Sequence, residues 1–489
     1  MKIVFLALYV VVIVGIAVYS RRHTNDLNDF FLGGRRIGPW MSAMAYGTTY
    51  FSAVVFVGYA GTVGWDFGVS ATWIGLGNAI LGSLCAWLLL ARRTHTMSQH
   101  FGTATMPAFF QTRYQSKGLK IVTSVIIFVF LVPYTASVYT GLSYMFESAF
   151  GVPFIWCMAG IAVLTGLYLL LGGYLATAIA DLFQGTIMLA GVILMLVFLL
   201  SSQQVGGLKE GLSRLGQLDP ALVGPVGPGG VKNLISLIFL TSIGTWGLPQ
   251  MIHKFNAIRD ERAIRQGTVI STVFALIIAG GAYFMGAFGR LFFGNVAPAN
   301  TDTVMPTIME TAFPPWLVGI VVILVLSASM STLSSLVLVS SSAISMDLVK
   351  GVLRPRMEGR RVMLLMRVLC VLFVLLSVVL ALRKDSTIVS LMSVSWGTIS
   401  GCFLAPYLYG LYWKRATKAG AWAGVLAGLA VTAALLPILG KGQASFVGMM
   451  SMLASMVAVP LVSLVSPKLP EAHVEWVFQP EQARRRAKT

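Results

Sequence analysis

The chain has 489 residues, of which 57% are hydrophobic and only 11% are charged. Water-soluble globular proteins carry roughly 25% charged residues, so this composition excludes that class and is typical of a membrane protein. The formal net charge of +18 lies almost entirely between the apolar stretches. That placement favours topology and contact with anionic lipid over nucleic-acid binding.

Thirteen apolar stretches are long enough to cross a membrane, because about 20 helical residues span the hydrocarbon. In chain order they are 3–20, 39–64, 70–92, 119–149, 153–172, 174–202, 232–252, 266–293, 314–349, 361–382, 387–412, 419–439 and 444–466. Gly172-Gly173 predicts a very tight turn between two of them. The pattern predicts an all-α polytopic membrane protein with one transmembrane domain over 1–489, followed by a cytoplasmic tail at 467–489.

Lysine and arginine are unevenly divided between alternate gaps, with 27 in one set and 8 in the other. Positive loops are retained in the cytoplasm, so the N-terminus is expected outside and the C-terminus inside. Stretch 3–20 is followed, not preceded, by Arg21 and Arg22, which predicts a retained helix and not a signal peptide. We expect a multi-pass protein of the plasma (inner) membrane.

Segments 39–202 and 232–413 hold five spans each, and an odd number inverts the second unit relative to the first. One extra helix (3–20) precedes them and two (419–466) follow. Each unit opens with an interrupted helix, near Gly47-Thr48-Thr49 and near Gly244 to Pro249. Matched interruptions indicate a transporter's midplane site, although simple helix packing is the alternative for either break alone.

A stripe of hydroxyls lies in stretch 314–349. Ala328, Ser331, Thr332 and Ser335 recur at i, i+3, i+4 and i+7, on one face of a helix. Neutral oxygens suit a sodium ion that must bind and leave, whereas a small-residue helix interface is the alternative.

Asp181 is the only acidic residue that lies well inside a predicted span. A carboxylate in lipid is costly and predicts a cation as its partner. The alternative is an aspartate reached by water at the inner end of its helix.

Three motifs resemble the sodium:solute symporter family. They are Gly172-Gly173-Tyr174-Leu175-Ala176 with Asp181-Leu182-Phe183-Gln184-Gly185, then Ser327 to Thr332 with Ser340 to Ile344 and Asp347-Leu348, and Gly410 to Gly420. The similarity covers about residues 3–465. It implies a five-plus-five inverted repeat, in agreement with the span count. Thr48 to Ala53 and Gly247-Leu248-Pro249 look most like the pantothenate-permease branch.

The resemblance implies a sodium site formed by the carbonyls of Thr48, Phe51 and Ala328 and the hydroxyls of Ser331 and Thr332. Some family members hold a second sodium ion, whose ligands would fall on Asp181, Ser331, Ser334 and Ser335. Asp181 could instead line the exit path of the first ion.

By the same analogy, the candidate substrate contacts are Phe51, Ser52, Val55, Trp73, Tyr134, Trp246, Gln250, Ser393 and Trp396, with packing as the alternative for each aromatic residue. Sugar-transporting relatives use charges in the second and seventh core helices, and their absence from 70–91 and 266–289 argues against sugars. We expect no lysine or arginine at the midplane. A substrate carboxylate would then rely on half-helix amides near Thr49 and Tyr50.

These features predict a sodium-coupled symporter that imports a small carboxylate or zwitterion, such as an amino acid, a monocarboxylate or pantothenate. A proton-coupled or uncoupled carrier on the same fold is the alternative. No acid–base pair or nucleophile constellation indicates an enzyme. The expected partners are the solute, Na⁺ and lipid, with no nucleic acid and no obligate protein partner.

Overall fold

The computed structural model describes residues 2–21, 35, 37–294, 296–383 and 386–486. In that part the chain is helical, with short 3₁₀ and π turns and no β-strand. The helices are α1 Lys2–Arg21, α2 Pro39–Tyr50, α3 Ala60–Phe67, α4 Thr72–Gly77, α5 Arg92–Phe101, α6 Met106–Tyr114, α7 Lys117–Phe150, α8 Phe154–Ser201, α9 Leu208–Leu218, α10 Val231–Ser242, α11 Pro249–Asn256, α12 Glu261–Ala287, α13 Val304–Ala312, α14 Pro315–Ser342, α15 Gly359–Ala381, α16 Ile388–Tyr412, α17 Lys418–Leu439, α18 Ala444–Val465 and α19 Glu471–Arg486.

The predicted spans coincide with these helices. Ten helical stretches in the described ranges are long and apolar enough to cross a membrane, and the bent pair α10–α11 makes eleven. Charged residues are scarce in each, and their apolar side chains face either lipid or the bundle core. The prediction of an all-α polytopic membrane fold is therefore confirmed.

One predicted boundary is wrong. Helix α8 continues through Gly172-Gly173, where a tight turn was expected. Its 48 residues are about 70 Å long at 1.5 Å per residue, so α8 contains both predicted spans, 153–172 and 174–202. Glycine permits a turn without requiring one, and the apolar residues on both sides allow the helical hydrogen bonds to continue.

Two helices are interrupted at corresponding places in the two repeats. In the first repeat, α2 ends at Tyr50, Phe51 is extended (φ −110°, ψ 109°), and helical structure resumes with a π turn at Val54–Tyr59. The break thus lies about three residues after the predicted Gly47-Thr48-Thr49.

In the second repeat, a 3₁₀ turn at Ile243–Gly247 and an extended Leu248 separate α10 from α11, with a 47° bend. Pro249 begins α11, where its missing N–H costs nothing. This break lies where the sequence predicted it.

Helix α14 forms the centre of the bundle and packs against α1, α2, α7, α8 and α15. Every residue from Val321 to Ser342 is buried, including its serines and threonines. Polar groups in such surroundings need hydrogen-bond partners, so this helix determines where the polar site can form.

The last helix, α19, folds back against one end of the bundle, which we call the tail face. Trp476 lies on the rings of His100 and Phe101, the last two residues of α5, with centroid distances of 4.6 and 5.3 Å. The next two residues, Val477 and Phe478, are buried. The end of the bundle farthest from α19 is called the opposite face.

Candidate functional site

The hydroxyl stripe of α14 meets the broken end of α2. The Thr332 hydroxyl lies 3.2 Å from the carbonyl oxygen of Thr48, 3.1 Å from that of Thr49 and 3.1 Å from that of Ala328. The Ser331 and Thr48 hydroxyl oxygens are 2.8 Å apart. Three side-chain hydroxyls and three carbonyl oxygens therefore gather in one buried cluster, which we call the oxygen cluster.

The backbone explains why these carbonyls are available. The last carbonyls of a helix have no intrahelical partner, and the C-terminal end carries partial negative charge. Helix α2 ends inside the bundle at Tyr50, so its last carbonyls point into buried space. A cation is the natural ligand of such a helix end. The structure brings Thr48, Ala328, Ser331 and Thr332 together, and Phe51 occupies the extended position just after them.

The next half-helix begins on the other side of the break. The amide of Ala53 donates to the Ser329 hydroxyl (3.0 Å), and the Val54 amide donates to the Ser52 hydroxyl (3.3 Å). The half-helix N-terminus thus lies at Ser52–Val54, a few residues after the predicted Thr49 and Tyr50. The two opposed helix ends place a cation-favouring and an anion-favouring pole next to each other.

Asp181 lies beside the oxygen cluster, on α8. Its carboxylate is near the hydroxyls of Ser331 and Thr48, and its Oδ2 is 3.4 Å from the Nζ of Lys254 on α11. Both side chains of this ion pair are 1% exposed. A buried lysine, which the sequence did not predict, therefore lies beside the oxygen cluster.

Sequence reasoning missed Lys254 because it treated 254–265 as a loop of positive charge. The signal available was Pro249: a helix that begins there inside the membrane still has Lys254 within its second turn.

The other two predicted ligands of a second ion have partners of their own. The Ser335 hydroxyl lies 3.1 Å from the Thr49 hydroxyl, and Ser334 donates to the Met330 carbonyl at 2.6 Å.

A group of aromatic rings borders the oxygen cluster. Tyr134 contacts Trp396 edge-to-face (5.5 Å between centroids), Tyr50 stacks on Phe51 (4.2 Å), and the Tyr134 hydroxyl lies near Ser52 and Thr332. The predicted substrate residues that are buried in the bundle are Phe51, Ser52, Val55, Tyr134, Gln250, Ser393 and Trp396.

Two of these buried residues carry a polar atom that a ligand could use. Among the described residues, neither the Trp396 indole nitrogen nor the Gln250 side-chain oxygen has a hydrogen-bond partner, although both are buried. One is a donor and the other an acceptor, and unpaired buried groups of this kind are costly unless a ligand uses them. Ser393 is one turn from Trp396 and is bonded to the hydroxyls of Tyr59 and Ser445.

Two predicted substrate residues differ from these in exposure. Trp73 is 50% exposed and donates to the Pro225 carbonyl, as an interfacial tryptophan does when its ring faces lipid and its N–H finds a polar partner. Trp246 is half-buried, packs against the core and donates to the Leu81 carbonyl. Trp73 thus lies outside the buried group, and Trp246 stays a predicted substrate residue.

Two buried aspartates lie away from the oxygen cluster, towards the two ends of the bundle. At the opposite face, Asp302 accepts the amide of Ile388 (3.2 Å), and burial raises the pKa of Asp302 to about 6. At the tail face, Asp347 accepts from Thr105 (2.8 Å) and lies 3.5 Å from the Nζ of Lys120. Each aspartate thus joins elements that are distant in sequence.

Comparison with known proteins identifies the family. The model of the sodium:solute symporter family matches residues 30–428. The chain belongs to the sodium:solute symporter family. The predicted resemblance is confirmed, and the protein is a sodium-coupled symporter for a small solute, with Na⁺ as the coupling ion.

Several similar symporters are named for proline. The osmoregulated proline transporter OpuE of Bacillus subtilis is 30% identical over 95% of both chains. The sodium/proline symporter of Haemophilus influenzae is 31% identical over 87% of this chain and 86% of its own, and that of Escherichia coli is 30% identical over the same shares. The similarity thus extends across nearly the whole chain.

Solved structures share the fold. A Na⁺-coupled sialic acid symporter in a substrate-bound, outward-open state matches with a TM-score of 0.79 and 15% identity, over 96% of this chain and 98% of its own. The nucleobase-cation-symport-1 family transporter Mhp1 matches with a TM-score of 0.56 and 15% identity, over 93% and 98%. At these identities the likeness concerns the fold alone.

Proposed function

We propose that this symporter imports proline, or a closely similar zwitterionic amino acid, together with sodium. The observation that carries the sodium part is the oxygen cluster, in which the carbonyls at the end of α2 meet the hydroxyls of Ser331 and Thr332. The names of the relatives support proline as the solute, because they cover nearly the whole chain at about 30% identity.

The proposed sodium site uses the carbonyls of Thr48, Phe51 and Ala328 and the hydroxyls of Ser331 and Thr332. Sodium would take the place of the hydrogen bonds that now join Thr332 to the carbonyls of Thr48 and Ala328. Because the ligands come from both α2 and α14, a bound ion would hold the two helices together. Binding of sodium would therefore favour one arrangement of the bundle, and the solute would feel that preference.

The chemistry of proline suits the neighbouring groups. Its carboxylate would face the half-helix amides at Ser52–Val54 and the Trp396 indole N–H, and its ring would lie on Tyr134 and Phe51. The cationic amine would face acceptors such as the Gln250 side-chain oxygen or the carbonyls of the break. A neutral hexose would use neither helix end.

We further propose that the N-terminus lies outside the cell and that the tail face is cytoplasmic, in the plasma (inner) membrane. The distribution of lysine and arginine supports this orientation. The Asp302–Ile388 contact would then be the outer closure, and the contacts of Asp347 the inner one.

The test is uptake of radiolabelled proline into proteoliposomes under an inward sodium gradient, with equal sodium on both sides as the control. Unlabelled amino acids, monocarboxylates, pantothenate and sialic acid would be offered as competitors. We expect sodium-driven accumulation that proline itself blocks best. Uptake driven equally well by a proton gradient without sodium would favour the proton-coupled alternative, in which a buried carboxylate such as Asp181 titrates.

A further inference from the structure

Lys254 forms a buried ion pair with Asp181 and so places a fixed positive charge beside the proposed sodium site. Sodium binding does not itself require such a charge. Lys254 Nζ is 3.4 Å from Asp181 Oδ2, and both side chains are 1% exposed. The ammonium also lies 5.2 Å from the centre of the Tyr174 ring. Removing two charges from water is expensive, and such pairs inside a membrane mark function more often than stability.

The pair lies immediately beside the proposed sodium site. Asp181 is near the Ser331 and Thr48 hydroxyls, whose oxygens are themselves 2.8 Å apart in the oxygen cluster. Ser331 thus lies between the ion that would bind the oxygen cluster and the carboxylate of Asp181. A second sodium ion at Asp181 would use this same carboxylate and the same serine.

The net charge around the Asp181 carboxylate determines whether a second sodium ion can bind there. With Lys254 present, the pair is neutral, and an additional sodium ion at Asp181 would lie within a few ångströms of an ammonium in surroundings that screen poorly. Asp181 Oδ1 has no hydrogen-bond partner among the described residues, so the carboxylate keeps an unused acceptor oxygen while its charge is neutralised by Lys254. Lysine and sodium therefore compete for one carboxylate.

We propose that the ammonium of Lys254 is the resident cation of Asp181, so that the symporter carries one sodium ion per cycle and not two. This inference rests on the sodium site proposed above and makes Lys254 the residue that sets the ion stoichiometry. A tethered cation cannot leave with the solute. It fills the second position in every cycle without contributing to the driving force.

The decisive variant is Lys254→Met, which removes the charge and keeps an unbranched side chain of similar length. Lys254→Arg keeps the charge, and Lys254→Met with Asp181→Asn removes both charges. Lys120→Met is the matched control for the ²²Na⁺ binding count, because Lys120 forms another buried lysine–aspartate pair, with Asp347 (3.5 Å) at the proposed inner closure.

Two measurements count the ions. Equilibrium binding of ²²Na⁺ to purified protein gives the number of sites, and the ratio of charge to labelled proline in proteoliposomes gives the number transported. We expect one sodium ion in the wild type, in Lys254→Arg, in Lys120→Met and in the double variant. Lys254→Met should bind two, with a Hill coefficient for sodium approaching two.

A wild type that binds and transports two sodium ions overturns the inference and leaves the proposed function intact. So does a Lys254→Met protein that still binds one. A wild type that binds no sodium overturns the proposed function as well. Should Lys254→Met not fold, the wild-type count still decides, and so does a comparison of Lys254→Arg with the double variant, each of which must bind one ion.

Discussion

The Thr332 hydroxyl lies 3.2 Å from the carbonyl oxygen of Thr48, a residue 284 positions earlier in the chain. The first helix of one repeat and the central helix of the other thus meet at a place where backbone oxygen is left unpaired by a break. In the sodium site proposed above, the bound ion would bridge these two helices.

Replacing Thr332 by alanine should weaken sodium binding, because a desolvated ion loses one of about five oxygen ligands. The expected cost is about 1–3 kcal/mol, or about 5- to 150-fold in affinity. Proline affinity should fall with it, since the coupling of two ligands is reciprocal. The sodium concentration at half-maximal proline uptake measures the effect.

Ser342→Ala is the control on the same helix, because that buried hydroxyl bonds only the Val339 carbonyl at 2.9 Å. Sodium dependence should be unchanged in Ser342→Ala. Equal sodium dependence in Thr332→Ala and the wild type would exclude Thr332 from the site.

Tyr134 should contribute to solute binding. Tyr134→Ala removes the ring that contacts Trp396 at 5.5 Å, and we expect the KM for proline at saturating sodium to rise about 10-fold or more, a loss of about 1.4 kcal/mol. Tyr134→Phe keeps the ring and should have a smaller effect. Trp73→Ala, on the exposed surface, should leave the KM near the wild-type value. A larger effect at Trp73 than at Tyr134 would contradict the assignment.

Asp302 should make the closed protein sensitive to pH. Burial raises the pKa of Asp302 from its ordinary value near 4 to about 6, so the folded protein holds this proton more tightly than the unfolded chain does. The resulting stabilisation is full below about pH 4 and is lost as the pH rises through 6. Between pH 7 and pH 5 the wild type should gain about 1 kcal/mol from this group.

Asp302→Asn can still accept the Ile388 amide but does not titrate, which makes it the matched comparison. Thermal unfolding of both proteins at pH 5 and pH 7 gives the measurement. The wild type should gain more stability on acidification than Asp302→Asn. Identical gains would show that Asp302 has an ordinary pKa.

Two glycines on α12 should respond differently to alanine. A Cβ at Gly286 would lie 1.9 Å from the Ala60 carbonyl oxygen, whereas a Cβ at Gly280 would meet nothing within 4 Å. Gly286→Ala should separate α12 from α3 and destabilise the protein by about 1–3 kcal/mol or more, and Gly280→Ala should be neutral or slightly stabilising. Thermal unfolding of the purified proteins compares them, and equal melting temperatures would contradict the close contact.

Orientation can be tested with single cysteines at Arg262 and Asn300. A membrane-impermeant thiol reagent added to intact cells should label Asn300→Cys and leave Arg262→Cys unlabelled until the cells are opened. The unmodified chain is the background control, because Cys157, Cys370 and Cys402 are buried and Cys85 is half-buried. The reverse labelling pattern would invert the proposed topology.

Sequence reasoning reached the helical fold and the meeting of two repeats because both depend on local patterns. Apolar length identifies a span, and hydroxyls at helical spacing identify a face. Ser331 and Thr332 could therefore be selected before any contact was known.

Three features required the three-dimensional structure. The exact end of α2 at Tyr50 is decided by packing against α14 and not by Gly47. From sequence alone Lys254 is assigned to a charged loop, because the burial of α11 is not known. The carboxylate that neutralises it, Asp181, is 73 residues away in the chain. Trp73 carries the same sequence signal as Trp396, and only their surroundings separate a half-exposed ring from an enclosed one.

The docking of α19 has a consequence for the order of assembly. Trp476 lies on the rings of His100 and Phe101, and it is 376 residues after His100 in the chain. These rings of the first repeat therefore stay uncovered by Trp476 until α19 has been synthesised and has docked.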